Sequence, residues 1–249
     1  MTDFNVTETK IGEFKCINFI FEGKNARIIF PNTEKNGKWT VKTEYADAFM
    51  DTEFELLNRG FCCAFISNDS RWGLKKDLER KHRFINFVSE KFDLNKKCAL
   101  VGMSCGGLMA VKQASYFPED INCLYLDAPV LNYYSCPCGF GIGEALDGGN
   151  GVNEILRDLE MKSISELLIY NDMPMHNIEK LKNTRIPIIL IAGDSDKVVP
   201  YAENGIILEN AYKGSNIPFT LYIKKGCDHH PHGHDNVKIT ADFIEKYSV

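Results

Sequence analysis

The sequence has no long hydrophobic run, no excess of basic residues and no recognisable secretory leader. None of its apolar stretches approaches the ~20 residues that a membrane-spanning helix needs, so we expect no membrane association. The first residues, MTDFNVTETK, lack the basic and then apolar pattern of a signal peptide, which favours a cytoplasmic protein. Lysine and arginine number 29 against 34 aspartates and glutamates, with a net charge of -5, so nucleic acid is not an expected partner.

The nine cysteines also lack the even number and regular spacing of a disulfide-bonded protein. Their number is odd, their spacing is irregular, and several lie inside apolar runs, such as Cys62, Cys63, Cys98 and Cys123. Without a leader, this pattern predicts reduced, mostly buried thiols rather than disulfides. The one tight spacing, SCPCG at 135–139, has no second Cys or His pair nearby and is interpreted as a loop feature.

The composition that remains is that of an ordinary globular protein. Of the 249 residues, 44% are hydrophobic, 25% are charged and 11% are aromatic, which excludes disordered, collagen-like and coiled-coil chains. This length is common for one α/β domain, so we expect a single domain over residues 1–249.

Strand and helix patterns alternate along the chain. Short apolar, β-branched or aromatic runs predict strands at 14–21, 26–30, 61–66, 98–101, 121–126, 186–192 and 218–223. Apolar residues at helical spacing predict helices at 45–58, 74–92, 108–117, 202–212 and 237–247. Because most of the strand runs are unbroken, the pattern predicts a mostly parallel sheet with helices on both faces, an α/β fold.

The alternation is interrupted between about residues 130 and 181. This segment begins with the glycine-rich stretch CGFGIGEALDGGNG and continues with helical patterns around 154–161 and 164–170. Long insertions in compact domains are usually functional or disordered. We interpret this one as a helical cap over a pocket, and a surface excursion is the alternative.

The strongest chemical motif is G-x-S-x-G, formed by Gly102, Ser104 and Gly106 in GMSCGG. It lies directly between the predicted strand CALV and a predicted helix, which is the context of a nucleophile elbow. There the serine occupies a strained turn with its hydroxyl projecting, and bulkier side chains two residues away would clash. Ser104 is therefore the predicted nucleophile, and the backbone N–H of Cys105 is the predicted oxyanion donor.

An acid for this serine is expected after the strand IPIILI, in AGDSDKVVPY. Asp196 lies further into the loop, where it can face an imidazole, whereas Asp194 is placed to cap the turn. We favour Asp196. Asp127, at the end of the strand in LDAPV, is a third candidate.

The base is expected in the segment DHHPHGHD at 228–235, which carries four of the six histidines. Its position after the turn favours His229, with His230 second, as the group that accepts the Ser104 proton. Clustered histidines also suggest a metal site, but no second ligand cluster accompanies them, so we predict no metal.

In these motifs the chain resembles the α/β-hydrolase superfamily, with nucleophile, acid and base in that family's order. GMSCGG, LDAPV, AGDSDKVVPY and GCDHHPHG resemble an esterase-like and prolyl-oligopeptidase-like branch, many of whose members are uncharacterised or act on acylated carbohydrates. The resemblance covers most of the chain. It implies acyl transfer to water through an acyl-enzyme without a cofactor, on a small-molecule ester.

One family feature is missing. Members often carry an HGG-type motif after the third strand, which supplies a second oxyanion donor, whereas this chain reads FPNTEKNGKW at 30–39. We expect a backbone N–H of this loop to serve instead, and Trp39 is a weak candidate for substrate contact.

The segment SNDSRWG at 67–73 also follows a strand and should lie at the same edge of the sheet. Arg71 could hold a carboxylate through two hydrogen bonds, and Trp72 could pack on a sugar. The alternative is an ordinary turn with Arg71 in solvent. Together with His230, these side chains are predicted substrate contacts.

The leading functional hypothesis is a serine hydrolase that cleaves a carboxylic ester through Ser104, His229 and Asp196. Within the same class, a peptidase or amidase, a thioesterase and a lactonase are alternatives. Outside it, the alternatives are a non-catalytic binding protein of the same fold and a metal-dependent hydrolase that uses the histidine cluster.

Overall fold

The structure, a computed structural model, describes residues 5–249, and these contain one nine-stranded sheet of order β1-β2-β3-β5-β4-β6-β7-β8-β9. The strands are Val6–Ile11, Phe14–Phe21, Lys24–Ile29, Trp39–Lys42, Cys62–Ile66, Cys98–Met103, Ile121–Asp127, Ile188–Gly193 and Phe219–Lys224, numbered β1 to β9. β1, β2, β3 and β5 pair antiparallel, and all strands from β5 to β9 across the sheet pair in parallel.

Eight α-helices connect or follow these strands in the described part of the chain. They are Asp51–Asn58, Lys75–Lys91, Cys105–Tyr116, Asn150–Asp158, Ile164–Leu168, Ile178–Thr184, Gly205–Tyr212 and Val237–Tyr247, numbered α1 to α8. The mostly parallel α/β architecture predicted from the sequence is therefore confirmed.

Two strands were not predicted. β1 is exposed almost throughout and carries no apolar run, while β4 has only four residues, WTVK, with a polar Thr40 and Lys42. Burial of all four β4 residues comes from its place in the middle of the sheet, between β5 and β6. Because the neighbouring strands bury β4, its sequence needs no hydrophobic run, and a search for such runs does not detect it.

Apolar residues cover both faces of the sheet. One face packs against α2, α3, α6 and α7, where Phe84, Ala110, Leu181 and Leu208 are buried. The other face packs against α1 and α8 in a second cluster of buried apolar residues. Burial on both faces explains why the central strands read as unbroken apolar runs.

The parallel strands bring several loops to one edge. The segments that follow β4, β6, β7, β8 and β9 all leave the carboxyl end of the sheet. In open α/β sheets this edge is where ligands bind.

Among the described residues, those between β7 and β8 form no strand, and they include α4, α5 and α6. The segment is packed onto the body of the protein by an apolar cluster that contains Trp72, Tyr133, Ile155 and Leu167. It is also tied to the nucleophile helix α3, since the buried Lys112 Nζ lies 2.8 Å from the Asp172 carboxylate.

All nine cysteines are unpaired, and eight of them are buried. Within residues 5–249, no helix is both long and apolar enough to cross a membrane.

Helix α2 buries a charged group, which leads to a prediction about stability. Lys81 is fully buried, and its Nζ makes no hydrogen bond to any described residue. Burial lowers the pKa of its ammonium group to about 8. We expect Lys81→Met to raise the free energy of unfolding at pH 7 by about 1–3 kcal/mol, because the variant buries no charge.

The pH dependence follows from the same shift. The unfolded chain holds the Lys81 proton up to a pH near its ordinary value of 10.5, whereas the folded chain releases it near pH 8. The wild-type protein should therefore gain stability between these pH values, and the advantage of the variant should shrink there. Urea denaturation at pH 7 and pH 10 measures this. Lys75→Met, whose side chain is 83% exposed on the same helix, is the control and should change little.

Candidate active site

Ser104 occupies the turn between β6 and α3, and its backbone is strained. Its φ of 53° and ψ of -120° lie outside the regions that L-residues commonly adopt. The turn is held from both sides, because the Ser104 N–H donates to Asp127 O at 2.9 Å and its carbonyl accepts from Val130 N–H at 3.1 Å. Such strain persists only where surrounding contacts enforce it, and it is concentrated at functional sites.

The glycines of the motif permit this turn. A Cβ on Gly102 would lie 2.4 Å from the Gly106 carbonyl oxygen, and a Cβ on Gly107 would lie 2.5 Å from Pro129 Cβ. Both distances are far inside van der Waals contact. The lack of a side chain at Gly102 lets β6 approach the start of α3, and the lack of one at Gly107 lets α3 approach the segment after β7; both contacts hold the turn that presents Ser104.

Asp196 lies in the loop after β8, where its carboxylate accepts three N–H groups. Oδ1 accepts from the backbone N–H of Val198 and Val199 at 2.8 and 2.7 Å, and Oδ2 lies 2.8 Å from Nδ1 of His229. Burial raises the pKa of the Asp196 carboxyl, but these hydrogen bonds together outweigh burial, and the net pKa is lowered. Asp194 instead caps the turn by accepting from Gly226 N–H at 2.7 Å.

His229 connects the carboxylate to the serine. Its Nδ1 faces Asp196, and its Nε2 lies 3.1 Å from Ser104 Oγ. Since an ionised carboxylate can only accept, Nδ1 carries the proton and Nε2 accepts from the Ser104 hydroxyl. The arrangement is therefore able to take a proton from Ser104.

Cys105 begins α3 beside Ser104 and is buried. Burial raises the pKa of its thiol to about 11, so the thiol stays protonated and is a poor nucleophile at neutral pH. Its backbone N–H is among the first of the helix, which have no carbonyl partner within the helix. The group is thus free to meet a negative oxygen.

Ser104 and His229 open onto a cavity of about 430 Å³. Its other lining residues are Tyr45, Ala48, Phe49, Arg71, Met103, Cys105, Leu146, Asp147, Val198, His230 and His232. A larger open groove of about 740 Å³ lies against β1, β2 and β3 at the far edge of the sheet, and its lining contains no His, Cys or carboxylate among the described residues. The smaller cavity is the one in which reactive groups converge.

The expectation that the loop at 30–39 reaches this site is wrong. Trp39 is the first residue of β4 and lies at the amino end of the strand, whereas the site lies beyond the carboxyl end. Its side chain is fully buried and donates from Nε1 to Asn95 O at 2.7 Å. It is a core residue. The segment that does reach the cavity follows β4, and Tyr45 and Phe49 of this segment line it. The error arises from the missed strand β4, which lies next to β6.

Arg71 lines the cavity, but its predicted carboxylate partner is part of the protein itself. Its Nε and Nη2 donate to the two Glu154 carboxylate oxygens at 2.9 and 2.6 Å. Trp72 is fully buried beneath the insertion and donates to Glu154 at 3.2 Å, so the prediction that it contacts substrate is wrong. Arg71 and Glu154 instead connect the loop after β5 to helix α4.

The sequence interpretation missed a second His–Asp pair beside the first. Nδ1 of His232 lies 2.8 Å from Asp127 Oδ1, and Gly233 N–H donates to Asp127 Oδ2 at 2.6 Å. Asp127 therefore forms its hydrogen bond with His232, whereas His229 is bonded to Asp196. His230, the other candidate base, is exposed as a residue, and the partial burial of its ring together with the neighbouring His229 and His232 lowers the pKa of its imidazole.

With this geometry established, comparison with known protein families identifies the class. Residues 78–247 match the Esterase family model, described as "Putative esterase". The match covers more than half of the chain and includes Ser104, Asp196 and His229. The chain belongs to this esterase family.

Solved structures with the α/β-hydrolase fold resemble this esterase-family chain over nearly its whole length. An S-formylglutathione hydrolase from Agrobacterium tumefaciens has 13% identity and a TM-score of 0.64, with 97% of this chain and 96% of that chain covered. Est1E from Butyrivibrio proteoclasticus has 17% identity and a TM-score of 0.61, with 97% and 96% covered. The predicted α/β-hydrolase fold is confirmed.

Several similar structures are much longer. Porphyromonas gingivalis dipeptidyl peptidase 4 has 14% identity and a TM-score of 0.66, and the chain covers 35% of its length. The chain covers 38% of a puromycin hydrolase. No curated protein sequence matches the chain significantly.

Proposed function

We propose that the protein is a serine hydrolase that cleaves a carboxylic ester through an acyl-enzyme. The observation that carries the proposal is the His229 ring, which joins Asp196 at 2.8 Å to Ser104 Oγ at 3.1 Å on the wall of the cavity. Membership of the esterase family supports the hydrolase class. Ser104, His229 and Asp196 are the proposed nucleophile, base and orienting acid.

In the first half of the reaction, Ser104 Oγ attacks the ester carbonyl while its proton moves to His229 Nε2. Asp196, which accepts the Nδ1 proton in a hydrogen bond, stabilises the imidazolium that forms. When the tetrahedral intermediate collapses, the alcohol leaves with the proton from Nε2. In the second half, a water molecule gives a proton to Nε2 as it attacks the acyl-serine, and collapse of the second tetrahedral intermediate breaks the bond to Oγ, returns that proton to Ser104 and releases the acid.

The negative oxygen of each tetrahedral intermediate needs donors. We place one donor at the Cys105 backbone N–H at the start of α3. We place the second at the N–H of Tyr45, because Tyr45 follows β4, the neighbour of β6, and lines the cavity with Ser104. Among the residues that the structure describes, this N–H makes only one long contact, 3.4 Å to the adjacent Glu44 carboxylate.

The cavity favours a small or medium ester. Its volume of about 430 Å³ suits a compact ligand, and its lining is largely apolar and aromatic. Leu146 and Asp147 come from the 130–181 insertion, which we therefore propose acts as a cap. Asp147, which is 63% exposed and only loosely paired with Arg71 at 3.7 Å, offers an acceptor for hydroxyl groups at the same cavity, so we extend the proposal to acylated carbohydrates.

Peptide or amide hydrolysis is the second candidate, because several similar structures are peptidases. The chain spans 41% and 35% of the lengths of these two peptidases, whereas it spans 96% of the S-formylglutathione hydrolase and of Est1E. The similarity to whole chains of comparable length therefore favours ester hydrolysis over peptide hydrolysis.

A fluorophosphonate probe tests the proposal directly. We expect one adduct per chain, located at Ser104 by peptide mass spectrometry, because the probe reacts only with an activated serine. His229→Ala should remain unlabelled while still folded by circular dichroism. A folded wild-type protein that stays unlabelled would contradict the proposal and would favour a non-catalytic binding protein.

A substrate panel then separates the reaction classes. Acyl esters, thioesters and lactones of matched acyl length should be compared with the corresponding amides. We expect kcat/KM for the ester series to exceed that for the amides by about 100-fold or more. Equal or faster amide cleavage would assign the protein to the peptidase class instead.

A further inference from the structure

Three imidazole rings meet at one wall of the cavity. The ring centroids of His229, His230 and His232 are 4.8 to 4.9 Å apart in each of the three pairs, with interplanar angles of 61° to 83°. One ligand nitrogen from each ring lies within 4.8 Å of the other two. The serine mechanism uses only His229, so the other two rings need a separate explanation.

Two of the three rings are held by buried carboxylates. Asp196 lies 2.8 Å from Nδ1 of His229, and Asp127 lies 2.8 Å from Nδ1 of His232. Each pair leaves Nε2 as the nitrogen that can coordinate an ion. A carboxylate behind a histidine is the usual outer partner of a zinc ligand, since it fixes the tautomer and the ring orientation.

The spacing of the rings also fits a metal. Three histidines bound to zinc by N–Zn bonds of about 2.0–2.1 Å at tetrahedral angles have ring centroids about 5 Å apart. The observed centroid distances are close to this value, and the three nitrogens, which lie within 4.8 Å of one another, would have to move to about 3.4 Å apart to share an ion. His230 is exposed, stacked on Phe49 at 5.5 Å, and is the ring most free to adjust.

We propose that this cluster is a zinc site that reversibly switches the hydrolase off. Zinc would be bound by Nε2 of His229, one nitrogen of His230 and Nε2 of His232, with a water or the Ser104 oxygen in the fourth position. The lone pair of His229 Nε2 that accepts the Ser104 proton would then be donated to the metal. Inhibition rests on the proposed serine mechanism, whereas metal binding itself does not.

Zinc binding is tested on the metal-free wild-type protein by calorimetric titration with zinc chloride. We expect one strong site per chain, and titration with cobalt(II) should give the intense visible absorption of a tetrahedral site. His230→Ala, at an exposed position, should weaken binding at least tenfold without affecting folding. Asp127→Asn removes the carboxylate behind His232, which also accepts from Gly233 N–H, and should weaken binding by about 10- to 100-fold; circular dichroism checks that the variant folds.

Two histidine variants serve as matched controls. His234→Ala removes a half-buried histidine from the same loop but outside the cluster. His82→Ala disrupts the second group that could hold a metal, formed by His82, Glu119 and Asp120. Both should retain the wild-type zinc affinity. No zinc binding by the wild type, or equal binding by His230→Ala and Asp127→Asn, would overturn the site.

The inhibitory consequence has its own readout. Stoichiometric zinc should slow fluorophosphonate labelling of the wild type at least tenfold, and EDTA should restore it. Labelling that is unchanged or accelerated by bound zinc would overturn the switch. A metal-free protein that is never labelled would instead contradict the serine mechanism, and the calorimetric result would still decide whether the zinc site exists.

Discussion

Ser104→Ala should lower the turnover of a matched ester by about 10³- to 10⁶-fold, the range seen when a catalytic nucleophile is removed. The variant lacks the oxygen that forms the acyl-enzyme. In the wild type this Oγ lies 3.1 Å from His229 Nε2, so the variant also lacks the hydroxyl proton that Nε2 accepts. Folding should be unaffected, because the Ser104 backbone groups, not its hydroxyl, bond to Asp127 and Val130. Steady-state kinetics and thermal melting measure the two effects.

Ser195→Ala is the matched control for this experiment. Ser195 lies in the loop after β8, and its hydroxyl donates to Asp194 at 2.9 Å, away from the reacting atoms. Its turnover should stay within about twofold of wild type, as is usual for a surface substitution. If Ser104→Ala kept more than about a tenth of the wild-type rate, Ser104 would not be the nucleophile.

Asp196→Asn should lower turnover by about 10⁴-fold, with little change in the folded structure. The carboxylate accepts the His229 Nδ1 proton on one oxygen and the Val198 and Val199 N–H groups on the other. An amide has a single acceptor oxygen and cannot satisfy both sides. If its oxygen stays with the two backbone groups, its NH₂ faces Nδ1 and selects the tautomer whose Nε2 cannot accept from Ser104.

Asp194→Asn tests whether this loss is specific to the acid next to His229. Asp194 shares the loop but accepts from Gly226 N–H, so this variant should keep most of the wild-type turnover. Measurement of kcat/KM for both variants on one ester decides the point. A larger loss for Asp194→Asn than for Asp196→Asn would show that the acid has been assigned to the wrong carboxylate.

The parts of the fold that the sequence predicts well are those with strong local signals. The central strands β6 and β8 are unbroken apolar runs, and β7 is apolar except for Asn122 and its last residue, Asp127, because both faces of these strands are buried. Helix α8 was predicted with the boundaries it has, Val237–Tyr247, since its apolar residues recur at helical spacing. β4 was missed because four residues of mixed polarity carry no such signal.

That one missed strand led to the errors about residues 30–39 and Trp39. With β4 absent from the predicted sheet, residues 30–39 became the loop beside the nucleophile, and Trp39 became a candidate for substrate contact. In the structure Trp39 is a core residue at the start of β4, and the cavity is lined by Tyr45 and Phe49 beyond its end. Loop positions at an active edge depend on strand order, which no short sequence window contains.

The sequence by itself determined the α/β class, the esterase-type motif at Ser104 and the short segments that hold an acid and a base. It could do so because a nucleophile elbow is local: its glycines, strand and helix lie within about 20 residues. Only the tertiary structure decided which acid faces which histidine. Asp196 and His229 are 33 residues apart and Asp127 and His232 are 105 apart, and sheet pairing brings both pairs to one edge. The same packing pairs Arg71 with Glu154 and gathers the three imidazoles, because contacts between distant residues follow from the order of strands in the sheet.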